Sequence, residues 1–181
     1  ARQEIRRTLF NPDIGEIPLD CDRTWDLISS GNTKGCFQLE SRLGQSLAKK
    51  TRPRNIEELA GLISIMRPGC MEAIVDGKSL TNHYIDRKHG REPVEYFHPA
   101  LEQSLKETFG ILVYQEQSMQ IAQEIAGFNL QEADILRKAI GKKKASVMAE
   151  VKKSFIEKSE ARGIVTTEEA KEIFSWIEKS Q

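Results

Sequence analysis

Phe128-Asn-Leu-Gln-Glu-Ala-Asp-Ile-Leu-Arg-Lys-Ala-Ile-Gly-Lys-Lys-Lys144 is the stretch on which the rest of the chain turns. At ~100° per residue on a helical wheel, Ala133, Leu136, Ala139 and Ile140 fall on one side and Asp134, Arg137, Lys138 and Gly141 on the other. The pattern is that of a helix packed by its apolar face, with Arg137 and Lys138 projecting from the opposite face. Asp134 precedes Lys138 by four residues, a spacing at which opposite charges pair across one turn. Gly141 is the expected end of the helix, and Lys142, Lys143 and Lys144 follow in a turn near its negative pole, where cations are favoured. Five cations on one packed element suit an acidic ligand, and a polyphosphate or a nucleic-acid backbone is the natural candidate. The plainer reading is a solvated basic helix end.

Working outward, the segment Ile111 to Gly127 carries a polar arc of Glu116, Gln117, Gln120, Gln123 and Glu124. Its buried arc is Tyr114, Ser118, Met119, Ile121, Ala122 and Ile125, and Gln115 falls on that side, where an amide needs hydrogen-bond partners. Beyond Lys144, Val147 to Ile156 and Ala170 to Ile177 read as amphipathic helices, the second capped by Thr166-Thr-Glu-Glu. Upstream, Asp20 or Asp22 caps a short helix through Trp25 and Ile28 that Gly31 ends. Gly35-Cys-Phe-Gln-Leu-Glu-Ser is an apolar run of open type leading into a helix through Leu43, Leu47 and Lys50. Asn55 caps Ile56 to Met66, with Leu59, Leu62, Ile63 and Met66 on one face. Arg67-Pro-Gly is a break, Asp76-Gly-Lys-Ser is a polar turn before a helix through Leu80, Tyr84 and Ile85, and His98-Pro-Ala-Leu opens another helix ending near Gly110. The expected fold is mainly α, roughly eight to ten short helices with few or no strands.

The chain has 181 residues, 39% hydrophobic and 30% charged, with 27 Lys+Arg against 27 Asp+Glu. A net charge of zero excludes a generically basic nucleic-acid coat, so any phosphate contact must come from local patches. Those patches are Arg52 and Arg54 after Lys49-Lys50, Arg67 at its Pro-Gly break, Arg87, Lys88, His89 and Arg91 around Gly90, and the Arg137 to Lys144 group. Cys21, Cys36 and Cys70 form no C-x-x-C pair, which suggests reduced thiols and a cytoplasmic setting. His83, His89 and His98 lack zinc-ligand spacing, and no apolar run is long enough to span a membrane. Asp20 and Asp22 have the spacing of a magnesium-binding acidic pair, but their place before a helix reads as capping. No nucleophile–base set and no Gly-rich phosphate loop is present, so the segment is not a complete catalyst. It begins at Ala1 and stops at Gln181 without a helix-ending signal, as a piece of something longer would.

Gly35-Cys-Phe-Gln-Leu-Glu-Ser, Arg67-Pro-Gly, Tyr84-Ile-Asp-Arg-Lys-His-Gly-Arg-Glu-Pro, Tyr114-Gln-Glu-Gln, Ala133-Asp-Ile-Leu-Arg-Lys-Ala-Ile-Gly-Lys-Lys-Lys and Ile173-Phe together resemble the bacterial family C replicative DNA polymerases, that is, DNA polymerase III α subunits. The motifs run in that family's order over nearly the whole chain, and as a set they are specific. The resemblance implies a segment of the multi-helical fingers domain. Residues 1–54 would connect palm to fingers and form its first helices, and 55–181 would be the fingers core, incomplete at its C-terminal end. Arg137 stands at the first basic position of the family's Leu-Arg-Arg-Ala motif and would contact the triphosphate of the incoming deoxynucleotide. Lys138 stands at the second, where arginine is usual, and Lys142, Lys143 and Lys144 would lie close by. Arg67, Arg87, Lys88, Arg91, Tyr114 and Gln115 would shape the cleft or contact DNA.

Cys70 stands where the family commonly carries proline after Arg-Pro-Gly, which marks a divergent member. The family's palm aspartates, with the two Mg2+ ions they hold, find no counterpart in this chain, so the segment alone is expected to be inactive. Its implied partners are primer-template DNA, the incoming dNTP and the rest of the polymerase chain, palm and thumb, with no membrane. A non-catalytic helical module that binds nucleic acid or serves as an interaction scaffold is the alternative.

Overall fold

In the computed structural model, which describes Gly15, residues 17–142 and residues 145–179, the described chain is mainly helical, as its periodicity requires. It divides into two compact units, Ala1–Ile63 and Ser64–Gln181.

In the first unit, α1 (Asp22–Ser29) packs on α2 (Arg42–Thr51), with Trp25, Ile28, Leu47 and Ala48 buried. Neither Asp20 nor Asp22 caps α1. Cys21 holds the cap position and Asp22 lies in the first turn, where its charge still favours the positive end of the helix. The run Gly35–Ser41 is neither helix nor strand but a series of turns. Leu39 is buried within it, the Thr33 hydroxyl donates to the Leu39 carbonyl at 2.6 Å, and Gln38 adopts a left-handed φ of 63°. Gly44 lets α2 approach this loop: a Cβ there would stand 2.7 Å from the Gln38 carbonyl oxygen and 2.8 Å from the Leu39 Cα.

The division falls within α3 (Ile56–Ile65), where the Asn55 side chain accepts from Glu58 N at 2.8 Å, the cap the sequence announced. The buried side of α3 is centred on Leu62 and Ile65, whereas Leu59, Ile63 and Met66 are half-buried, a rotation of the expected face.

The second unit opens with α4 (Pro68–Glu72) and a hairpin, β1 (Ile74–Val75) antiparallel to β2 (Lys78–Ser79). The expected polar turn is the tip of that hairpin. Asp76 and Gly77 both have positive φ, 49° and 78°, which two-residue hairpin loops demand. Ser79 then caps α5 (Leu80–Lys88). The helix expected at His98 breaks into a 3₁₀ turn, α6 (Glu102–Leu105) and a second 3₁₀ turn, ended by left-handed Phe109 and Gly110. Four longer helices follow: α7 (Gln115–Ala126), α8 (Leu130–Lys142), α9 (Ala145–Arg162) and α10 (Thr167–Lys179). They enclose one apolar core that includes Leu112, Ile121, Ile125, Leu136, Phe155, Ile173 and Phe174.

Thr166 and Glu169 cap α10 reciprocally, Thr166 N donating to the Glu169 carboxylate at 2.7 Å and Glu169 N to the Thr166 hydroxyl at 3.2 Å. Gly141 does not end α8. The helix continues through Lys142, because an interior glycine costs only about 1 kcal/mol against alanine. No helix among the described residues is long and apolar enough to cross a membrane.

The three thiols are free. Cys21 is exposed, Cys36 intermediate and Cys70 buried. A hydrogen bond with the Thr24 side chain draws the Cys21 thiol below its ordinary value, whereas burial pushes that of Cys70 up.

Candidate nucleotide-phosphate interface

α8 begins where the chain can begin a helix without orphaned donors. Asn129 Oδ1 accepts from Glu132 N at 2.9 Å, and Asn129 N donates to the Glu132 carboxylate at 3.0 Å. Ala133, Leu136, Ala139 and Ile140 are all buried, as the wheel requires, and Lys158 from α9 pairs with Glu132 while its ammonium stands 5.3 Å from the Phe128 ring centroid. The opposite face is thereby fixed. On it Arg137 sets Nε and Nη2 on one Asp134 oxygen, at 3.0 and 2.7 Å, and Lys138 Nζ meets the other oxygen at 2.6 Å. Hydrogen bonds from Lys138 and then Arg137 hold the Asp134 carboxyl below its ordinary range. The side chains of Asp134, Arg137 and Lys138 stay 34%, 39% and 57% exposed, so these pairs are solvent-screened and weak. Lys142 is the last residue of the helix, one turn on from Lys138, and Lys143 and Lys144 lie outside the described residues.

Arg67 and Tyr114 are 47 positions apart (114 − 67), yet the positive charge of Arg67 reaches the Tyr114 hydroxyl. Arg67 is exposed at the cap of α4, held extended by the proline after it. Half-buried Tyr114 at the start of α7 feels the Arg67 charge and shares a hydrogen bond with buried Ser64. Burial pushes the Tyr114 hydroxyl above its ordinary value, and the Ser64 contact offsets part of that rise. Tyr114 also lines a polar pocket of about 400 Å³ with Lys106, Glu107 and Gln120.

The deeply placed amide at the start of α7 is Gln117, not Gln115. Its Oε1 accepts from Val113 N and Tyr114 N, both at 2.9 Å, and its Nε2 donates to the Ser104 carbonyl at 3.1 Å and the Thr108 hydroxyl at 2.7 Å. Both ends of the amide are satisfied, and Gln115 is half-exposed at the first helical position. Ile111 to Tyr114 lie outside any helix, so the helix starts at Gln115, four residues later than expected, and Gln117 leaves the polar arc for the core.

The basic run around Gly90 is organised by an acid. Glu92 receives Arg87 Nε at 2.7 Å, His83 Nδ1 at 2.7 Å and Lys78 Nζ at 3.1 Å. Burial alone would raise its carboxyl, but the bonds from Arg87, His83 and Lys78 outweigh burial and bring it down to about 2. Arg87 spends its other donors on the Glu95 and Phe109 carbonyls and is only 12% exposed. His83 Nε2 stands 2.9 Å from the Val75 carbonyl, so both ring nitrogens face acceptors. Arg91 pairs with Asp86 at 2.8 Å and stays exposed, and Lys88 is half-buried. Ser64, His83, Asp86 and Glu92 had no place in the expected site. The signal that could have found Glu92 is the sequence Arg87-Lys-His-Gly-Arg, a run of basic groups that calls for the nearest carboxylate.

Residues 2–163 match the family model described as the bacterial DNA polymerase III alpha subunit finger domain. Similar proteins named DNA polymerase III subunit alpha include those of Aquifex aeolicus, 45% identical over 98% of this chain, and Caulobacter vibrioides, 42% identical over 99% of it. The protein of that name from Staphylococcus aureus is 42% identical over 97% of this chain. The chain spans only 15–16% of the length of these relatives. The chain therefore belongs to the family of bacterial DNA polymerase III alpha subunit finger domains.

Proposed function

We propose that this chain is the fingers segment of a DNA-directed DNA polymerase, and that the exposed face of α8 receives the triphosphate of the incoming dNTP while the segment helps place the primer-template. On this reading residues 1–54 link palm to fingers and residues 55–181 form the fingers core. The observation that carries it is the pairing of a buried apolar ridge, Ala133 to Ile140, with a guanidinium and an ammonium held side by side by one carboxylate. Asp134 keeps both cations on the face in the absence of ligand. A triphosphate brings more negative charge and more acceptor oxygens than one carboxylate, and the screened pairs exchange onto it at little cost. Arg137 then offers a planar fork and Lys138 a point charge, to which Lys142, Lys143 and Lys144 add positive potential.

Among the described residues no group of His, Cys, Asp or Glu is arranged to hold a metal ion. The Mg2+ of a full polymerase would be held by carboxylates outside this chain. What these residues contribute is alignment of the triphosphate and stabilisation of the charge that develops as it is cleaved. The test is Arg137→Ala in the full polymerase chain carrying this sequence. Steady-state incorporation should show a raised KM for dNTP and a lowered kcat, with kcat/KM down roughly 10²-fold. Unchanged incorporation kinetics would overturn the assignment.

A further inference from the structure

Ile74, Val75 and Phe97 leave 62%, 46% and 52% of their surface in solvent, and all three line one open groove of about 530 Å³. The other wall is α10. Its residues Ala170, Ile173, Phe174 and Ile177 are buried in the core, whereas Glu172, Ser175, Trp176 and Lys179 turn a second stripe to the groove, with Glu172 and Lys179 about 10 Å apart along the axis. The hairpin wall is firmly seated. Leu80 N donates to the Ala73 carbonyl at 3.1 Å, His83 Nε2 lies on the Val75 carbonyl, and Lys78 is tied to Asp86 and Glu92. A two-stranded hairpin is marginal by itself, and here polar anchors hold its backbone while its apolar side chains remain uncovered.

A contiguous apolar surface of this kind marks an interaction site. A small-molecule pocket would converge several polar groups on its ligand. This groove is apolar along its length with one acid and one base spaced two turns apart, the pattern that an amphipathic helix meets when it lies in a groove. The relatives extend far beyond the region they share with this chain, which spans 15% of the Aquifex aeolicus protein. A segment of the same polypeptide reaches such a groove at an effective concentration no separate protein matches.

We infer that the groove between the hairpin and α10 is an intramolecular docking site for an amphipathic segment of the polymerase chain outside residues 1–181. Its apolar stripe covers Ile74, Val75, Phe97 and Trp176, with a basic side chain opposite Glu172 and an acidic one opposite Lys179. The inference rests on the reading of this chain as part of such a polymerase.

The test places the photo-crosslinking residue benzoylphenylalanine at Phe97 in the full polymerase carrying this sequence. After irradiation, peptide mapping should find the cross-link to a peptide of the same chain outside residues 1–181, and Val75→Asp should abolish it. Cross-links confined to residues 1–181, to a second copy or to DNA would overturn the proposal. Hydrogen exchange gives an independent readout. Amides 73–80 should exchange at least about tenfold more slowly in the full polymerase than in the 181-residue chain, and equal rates would count against docking. Neither measurement reads nucleotide use, so a silent Arg137→Ala variant with an intact cross-link removes the phosphate assignment and leaves the docking site standing.

Discussion

Gln117 carries four hydrogen bonds from a buried position, and its removal takes these bonds from Val113 N, Tyr114 N and the Ser104 carbonyl at once, whereas the Thr108 hydroxyl keeps its bond to the Ile111 carbonyl at 2.7 Å. Gln117→Leu keeps the volume and loses all four, so urea denaturation should show a loss of roughly 2–4 kcal/mol. Gln115→Leu, half-exposed two residues earlier on another side of the helix, should change stability little. Glu92 tells a related story in charge. Its carboxyl lies at about 2 in the folded chain against an ordinary 4.5, so its contribution is complete above pH 4.5 and disappears as pH falls towards 2. An acid titration followed by circular dichroism should lose roughly 2–3 kcal/mol across that window, and Glu92→Gln should flatten it. Arg87, five positions from Glu92, is within reach of a local reading, but the more distant partners of both residues are not. The partners of Gln117 include Ser104 and Thr108, and one of those of Glu92 is Lys78, so only the tertiary path reveals them. The helix wheel placed Ser118, Ile121, Ala122 and Ile125 correctly, but it left Gln117 on the polar arc and began the helix four positions early.

At the scale of elements, two helical glycines make opposite predictions. Gly44 lies in α2 against the backbone of the preceding loop, where a methyl group has no room, so Gly44→Ala should cost about 1–3 kcal/mol despite its better helix propensity. Gly141 lies in α8 with nothing within 4 Å of a built Cβ, so Gly141→Ala should raise stability by up to about 1 kcal/mol. Thermal melts of the two variants check both signs. The reading of Gly141 as a stop shows where local reasoning falls short. Glycine permits a left-handed end but does not impose one, whereas the reciprocal Thr166–Glu169 cap and the one-way cap of Asn55 on Glu58 N were legible because each partner lies within one turn.

At the scale of the molecule, the mainly helical architecture and the buried face of α8 were legible because both follow from periodicities of a few residues. Two things were not: the bonds of Arg87 to the Glu95 and Phe109 carbonyls, and the bond of Tyr114 with Ser64, each between residues well separated in sequence. The hairpin pairs positions no more than five apart, Ile74 with Ser79, and only its polar tip was read from the sequence. The motif set located the chain within a polymerase more sharply than any single element could, since order across the whole length carries information that no one helix does.

The unequal setting of the cysteines has a practical use. Cys21 lies in solvent with its thiol favoured toward thiolate by Thr24, whereas Cys70 is shut away with its thiol disfavoured. With the half-exposed Cys36 replaced by serine, a maleimide dye offered briefly at neutral pH should label Cys21 quickly and Cys70 only when the second unit opens. Mass spectrometry of timed quenches should then read both events from one sample, the fast adduct counting molecules and the slow one clocking their excursions from the native state.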